Sequence, residues 1–318
     1  MRLALVISAL ILPVLTAMAA DVVQRFDTNG DGHIDQWEYY EAGTLKRLEA
    51  DRNHDRRVDH WVIYRQGKAV QAEFDTTGSG VADQREFYDA KGELQRAASD
   101  RDGDGTFEQQ LYYGPGKQLQ RLESDTNGDG KVDQWQMFEQ GKVVKIALDQ
   151  DHDGKPDQWQ THQPSGEMSL VELDSTGDGK VDQWHHYQGE HVERVEIDEN
   201  ADGQIDQRID YDRQGRIVRV LQHFDPQGQP HAWMRYKAGQ LWRSEFDTNQ
   251  DGRVDQWHDY HAQGHLVRTA YDRNGDGRPD QWEHFARGSQ EPYKVEQDTT
   301  GDGNADARWE NPHPAKDQ

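Results

Sequence analysis

The chain contains no cysteine, and few of its residues are apolar. Without cysteine no disulfide framework can staple the fold, and no processed N-terminal cysteine can carry a lipid anchor. Hydrophobic residues are only 33% of 318, too few for one large core and a balance that leans towards disorder. Positive charge is scarce too: 36 Lys and Arg face 60 Asp and Glu, a formal net charge of -24. Such a surface repels phosphates, which disfavours nucleic acid and anionic membranes and favours cations. Against disorder stand 10 Trp and 12 Tyr, spread evenly along the chain. An acidic chain this rich in aromatics is expected to fold once something neutralises its carboxylates.

Past the first residues there is no apolar run long enough to span a bilayer. The start itself reads as a signal peptide over residues 1–19. Arg2 is the positive element, Leu3 to Leu15 the apolar stretch, and Ala17-Met18-Ala19 an A-x-A cleavage site. Cleavage near Ala19 places the mature chain in the periplasm or outside the cell, where calcium is accessible and no membrane span is expected.

Residues 20–310 repeat with a period of 24 to 26 residues. Acidic loops open at Asp27, Asp51, Asp75, Asp100, Asp125, Asp149, Asp174, Asp198, Asp247, Asp272 and Asp298. A degenerate copy near 225–246 begins at Asp225, which makes about twelve repeats, and residues 311–318 form a tail. Between loops lie two short segments separated by a Gly turn. In one of them Val144, Ile146 and Leu148 alternate with Val143, Lys145 and Ala147. Period-two patterning bounded by Gly turns, such as Asp89-Ala90-Lys91-Gly92, predicts a β-hairpin in each repeat. The segment Tyr211-Asp212-Arg213-Gln214-Gly215-Arg216-Ile217 resembles the YD repeats of Rhs-type proteins, and the hairpins are similar to MORN-like bacterial repeats. The expected fold is all-β, tandem β-hairpin repeats in an open superhelical meander. The alternative is a β-propeller with two repeats per blade, which the alternation of small (Thr28, Thr76) and long (Arg52, Arg101) residues after the first aspartate favours.

The loops carry the chemistry. In the first, Asp27, Asn29, Asp31 and Asp35 place oxygen side chains at positions 1, 3, 5 and 9, with Gly32 at position 6. A hard cation such as Ca²⁺ takes six to eight oxygens at about 2.3–2.6 Å, and alternate residues of a tight loop can converge on it. The same spacing recurs as Asp51, Asn53, Asp55, Asp59; as Asp100, Asp102, Asp104, Glu108; and as Asp125, Asn127, Asp129, Asp133. It continues as Asp149, Asp151, Asp153, Asp157; as Asp174, Thr176, Asp178, Asp182; and as Asp198, Asn200, Asp202, Asp206. The last three are Asp247, Asn249, Asp251, Asp255; Asp272, Asn274, Asp276, Asp280; and Asp298, Thr300, Asp302, Asp306. The third loop keeps Asp75 and Asp83 but has Thr77 and Ser79 at positions 3 and 5, and the second has Arg56 where glycine is wanted, so both are expected to bind more weakly.

Plain Asp/Asn/Gly turns are the other reading of these loops, but turns alone do not call for three acids each. An EF-hand needs two flanking helices and Glu at position 12. Only Glu38, Glu86 and Glu283 stand there, and the space between loops is too short for two helices. The loops resemble the calcium loops of dockerin, thrombospondin type 3 and FG-GAP repeats, here joined to β-structure. Eleven calcium ions would bring the formal charge from -24 to about -2.

The recurring Asp-Gln-Trp, with Trp37, Trp135, Trp159, Trp184, Trp257 and Trp282, could be a ladder for stacking sugars. Packing of each Trp on the next hairpin is the preferred reading, since nearly every repeat has one. His185, His186 and His191 read as a solvated face rather than a transition-metal site, because neighbouring strand residues point to opposite sides. Paired carboxylates recur with the repeat, whereas a catalytic pair would be singular. No catalytic residue is assigned, and the chain is not read as an enzyme. The expected function is a calcium-rigidified scaffold for an envelope or extracellular protein or glycan partner. An extracytoplasmic calcium sensor or buffer is the alternative, an envelope hydrolase a weaker one.

Overall fold

The computed structural model describes residues 21–311. Residues 1–19, where a signal peptide is expected, and all but the first residue of the tail at 311–318 lie outside the described residues. The chain divides into two compact units, with the boundary in sequence between Val132 and Asp133. Among the described residues all 24 strands are antiparallel, and the one helical element is a 3-10 turn at Pro115–Lys117. No helix there is long and apolar enough to cross a membrane.

The first unit is a meander of nine strands, from Val22–Phe26 to Leu119–Ser124, each bonded to the strand before and after it. The second is a meander of fifteen, from Gln134–Glu139 to Ala307–Glu310. Pairing runs unbroken past four strands in either unit. Four-stranded propeller blades are therefore ruled out, and the open meander stands.

Each hairpin is built alike. Two-residue turns such as Ala42-Gly43 (φ 48° and 75°) and Gln140-Gly141 (φ 51° and 77°) have both residues left-handed, the conformation that suits the twist of the flanking strands. Other hairpins close over four residues: the Gly92 amide donates to the Asp89 carbonyl at 2.9 Å, and the Gly215 amide to Asp212 at 2.9 Å. A β-bulge recurs at the same place in the hairpins, for example between Tyr39 and Tyr40 and between His186 and Tyr187, but not in the hairpin closed at Asp225–Gly228, which keeps one register. Each bulge adds right-handed twist.

Because strands alternate in direction, the acidic loops of a unit fall on one rim and the glycine turns on the other, the Asp225–Gly228 turn excepted, which takes the place of a loop. Alternate residues then divide between two faces. On one face Val171, Val195 and Val220 are buried, joined across the sheet through His185 and Ile209. On the other, half-buried tryptophans alternate with glutamates: Trp37, Glu49, Trp61 and Glu73 in the first unit, Trp159, Glu172, Trp184 and Glu196 in the second. The tryptophans thus face glutamates across the strands, on the face opposite the buried valines.

Candidate metal centre

Ten apolar side chains are buried among the described residues, against thirteen aspartates. All thirteen stand at position 1 or 9 of an acidic loop: Asp51, Asp75, Asp100, Asp125, Asp149, Asp174, Asp198 and Asp247 at the first, Asp35, Asp59, Asp83, Asp133 and Asp182 at the ninth. Positions 3 and 5, including Asp55, Asp129, Asp178 and Asp276, are exposed. Burying a carboxylate costs several kcal/mol unless something compensates.

Backbone amides provide part of that compensation. In the seventh loop the Asp174 carboxylate accepts from the amides of Gly177 (2.8 Å), Asp178 (3.2 Å) and Gly179 (2.7 Å). Asp182 accepts from the amides of Ser175 (2.9 Å) and Thr176 (3.1 Å), which returns the end of the loop to its start. Asp178 accepts from the Lys180 amide at 2.9 Å. Burial raises the Asp174 carboxyl, but the Gly179, Gly177 and Asp178 amides outweigh it and hold the group below its ordinary value. Asp75 behaves the same way, burial being offset by Gly80, Gly78 and Ser79.

Two loops bring three or more carboxylates together. Oxygens of Asp100, Asp102, Asp104 and Glu108 lie within 4.8 Å of one another, as do those of Asp149, Asp151 and Asp153. Such a cluster is repulsive unless an ion sits between the groups. In the second cluster Asp149 Oδ2 accepts from the Gly154 amide at 2.8 Å, while Oδ1 is buried with no hydrogen-bond partner. An orphaned carboxylate oxygen beside two further carboxylates fits a hard cation, which supplies the missing partner. Asp157, the ninth residue of this loop, instead accepts from the Gln150 (2.7 Å) and Asp151 (3.2 Å) amides.

The other loops keep the framework. Asp27, Asp272 and Asp298 each gather the amides of positions 4 and 6, as in Gly275 (2.8 Å) and Gly277 (2.6 Å) on Asp272. Asp255, Asp280 and Asp306 receive the position-2 amide, as Asp206 does. Asn29, Asn53, Asn127, Asn200, Asn249 and Asn274 accept from the position-5 amide. Asp31, Asp202, Asp251 and Asp302 accept from position 7. Thr176 and Thr300 turn their hydroxyls to the first aspartate of their own loops. The fifth loop divides between the units, with Asp125, Asn127 and Asp129 in the first and Asp133 in the second. Arg56, at the missing glycine of the second loop, takes a left-handed φ of 75° and still donates its amide to Asp51 at 2.7 Å.

The degenerate copy has no loop. Asp225–Gly228 closes as a four-residue turn, the Gly228 amide donating to Asp225 at 2.8 Å, as in the Asp212–Gly215 turn. His231 stands where the ninth residue would be, with Nδ1 3.1 Å from Asp247 Oδ2.

One link between loops has no signature in side-chain spacing. After Asp27, and with Asp247 as the exception, the amide of each first aspartate donates to the carbonyl of the preceding loop's ninth residue: Asp51 to Asp35 (2.8 Å), Asp75 to Asp59 (2.9 Å), Asp174 to Asp157 (2.8 Å), Asp198 to Asp182 (2.9 Å). Only the constant loop-to-loop period points to it.

No family model and no curated protein matches the chain. Among solved structures it is similar to part of an S. aureus TarM mutant in complex with fondaparinux, alpha-GlcNAc-glycerol and UDP, with 9% identity and TM-score 0.18 over 41% of this chain and 20% of that one. It is also similar to part of TcdB2-TccC3 without its hypervariable C-terminal region, with 11% identity and TM-score 0.19 over 89% of this chain and 20% of that one. A porin-like protein from Bacteroides uniformis follows at 10% identity and TM-score 0.14, covering 73% of this chain and 91% of that one. The chain spans about a fifth of the first two. Likeness at these scores carries no argument about function.

Proposed function

We propose that this chain is an exported calcium-binding repeat protein whose acidic rim, once loaded, stiffens a β-meander into a scaffold for a protein or glycan partner. The observation that carries the reading is Asp149: its carboxylate is buried, one oxygen has no partner, and Asp151 and Asp153 stand within reach of the same ion. Ligands there are all oxygens, which suits Ca²⁺ over softer metals. Flexible, partly exposed carboxylates at positions 3 and 5 suit it over Mg²⁺, which demands tight octahedral geometry. The ion would hold its own loop, and no catalytic step is assigned to it.

A sensor or buffer would use the same loops and differ in the calcium range over which they fill. Calorimetric titration of the mature chain tests the proposal. Uptake of close to ten Ca²⁺ per chain, with Mg²⁺ a poor competitor and β-type circular dichroism throughout, is the expected outcome. A stoichiometry of two or fewer overturns it.

A further inference from the structure

We propose that ion binding is coupled from loop to loop along the rim, and that the joint at Asp225–His231 stops the coupling within the second unit. The inference rests on the calcium reading above and adds how the sites communicate.

The coupling element is the backbone bond between loops. Asp182 is tied to the start of its own loop by the Ser175 and Thr176 amides, and its carbonyl accepts the amide of Asp198 at 2.9 Å. Asp198 is the hub of the next loop, accepting from the Asp202 amide at 3.2 Å and the Gly203 amide at 2.7 Å. An ion drawing Asp174 and Asp182 together therefore fixes the residue that positions Asp198. A neighbour ordered in advance gives up less conformational freedom when its own ion arrives, which is positive cooperativity without a change of fold. Repulsion between ions opposes this. Adjacent loops are two strands apart, roughly 9–10 Å, beyond the ~8 Å screening length of physiological salt.

The same bond joins Asp149 to Asp133 and Asp174 to Asp157, then Asp272 to Asp255 and Asp298 to Asp280. Between these two runs lies the joint. The Asp247 amide donates to the carbonyl of His231, a residue within the strand Pro230–Lys237, and the His231 ring stands 3.1 Å from the Asp247 carboxylate. Asp247 is thus positioned by a sheet residue, ordered whether or not an ion is bound upstream. The loops opening at Asp149, Asp174 and Asp198 form one run, and those at Asp247, Asp272 and Asp298 another.

Asp178→Ala in the full chain tests this, since Asp178 is exposed and its loss leaves the framework of Asp174 and Asp182 in place. Hydrogen exchange of each loop, followed by mass spectrometry across a calcium titration, reads a midpoint for every site. The expected result is a three- to tenfold rise in the midpoints at 149–157 and 198–206, with those at 247–255, 272–280 and 298–306 unmoved. Unmoved midpoints in the two neighbouring loops overturn the coupling, and a shift that reaches 247–255 overturns the joint. A wild-type chain that takes up no calcium sinks the calcium reading itself, a result separable from uptake at independent sites.

Discussion

Positions 1 and 5 of a loop do different jobs, and the tenth loop, opening at Asp272, allows them to be separated. Asp272 accepts amides from Gly275 (2.8 Å), Asp276 (3.3 Å) and Gly277 (2.6 Å), so it shapes the loop as well as offering a carboxylate to the proposed ion. Asp276 is exposed and accepts one amide, that of Arg278 at 2.9 Å. Asp272→Ala leaves three donors without their acceptor. At about 1 kcal/mol each, with water replacing some, the loss is roughly 2–3 kcal/mol even at the lowest calcium level. Asp276→Ala removes one exposed bond, worth about 0.5 kcal/mol, plus whatever the ion contributed. With a Kd near ~10⁻⁴ M, that contribution is about 0.4 kcal/mol at 0.1 mM calcium, 1.4 at 1 mM and 2.7 at 10 mM. Urea unfolding followed by tryptophan fluorescence at these three concentrations reads both. The Asp276→Ala deficit should widen with calcium from under about 1 to about 3 kcal/mol. The Asp272→Ala deficit should already be large at the lowest concentration. A deficit for Asp276→Ala that ignores calcium would show that position 5 is only a turn residue.

Two further outcomes are expected. His60 takes the place of the glutamine in Asp-Gln-Trp, is buried against Phe74, and has a pKa of about 4 because burial, and then Arg52, disfavour its charged form. The neutral ring is favoured in the folded state, so its contribution is complete above about pH 6.5 and is lost as pH falls through about 4, up to about 3 kcal/mol in all. His60→Gln should reduce the slope of stability between pH 6.5 and 4.5, to which His185 and His258, also lowered by burial, add in the same direction, and an unchanged slope would place its origin elsewhere. Arg56 occupies a left-handed position that costs a side chain about 1 kcal/mol. Arg56→Gly should therefore raise the urea midpoint, and a lowered midpoint would show that the arginine side chain makes a compensating contact.

The hairpins were legible because their rules are local. Val144, Ile146 and Leu148 show period two, and Ala42-Gly43 or Asp89–Gly92 show turn chemistry, each within a few residues. The spacing of the loop acids was legible for the same reason, since one nine-residue loop contains all four positions. The propeller alternative failed because alternation after the first aspartate is a surface pattern. Whether strands pair continuously depends instead on hydrogen bonds formed at every hairpin edge. The degenerate copy was misleading in a similar way: Asp225 keeps the acidic start, but the four residues to Gly228 close a turn on their own. Tryptophan spacing correctly marked the repeat. Facing was a different matter, because the register that sets Trp37 and Trp61 against Glu49 needs both strands to be placed.

Burial by position explains why so polar a chain can hold a fold at all. In an ordinary domain the sheet is closed over by apolar side chains, and here the apolar residues that reach full burial are mostly small: Ala50, Ala72, Ala98, Ala232 and Ala270 beside four valines and a leucine. The rim takes over part of that work. Each buried aspartate at position 1 or 9 ends a strand, ties the loop through amides, and lies one backbone bond from the next repeat. Charge is what makes this arrangement conditional: thirteen buried carboxylates along two rims repel one another, and amides carry only partial charge. A cation held at each loop, as proposed above, would relieve the repulsion where the fold is thinnest. If the loops fill as proposed, the stability of the meander and the occupancy of its loops become one quantity, and a partner that recognised the stiffened sheet would respond to the ion without touching its ligands.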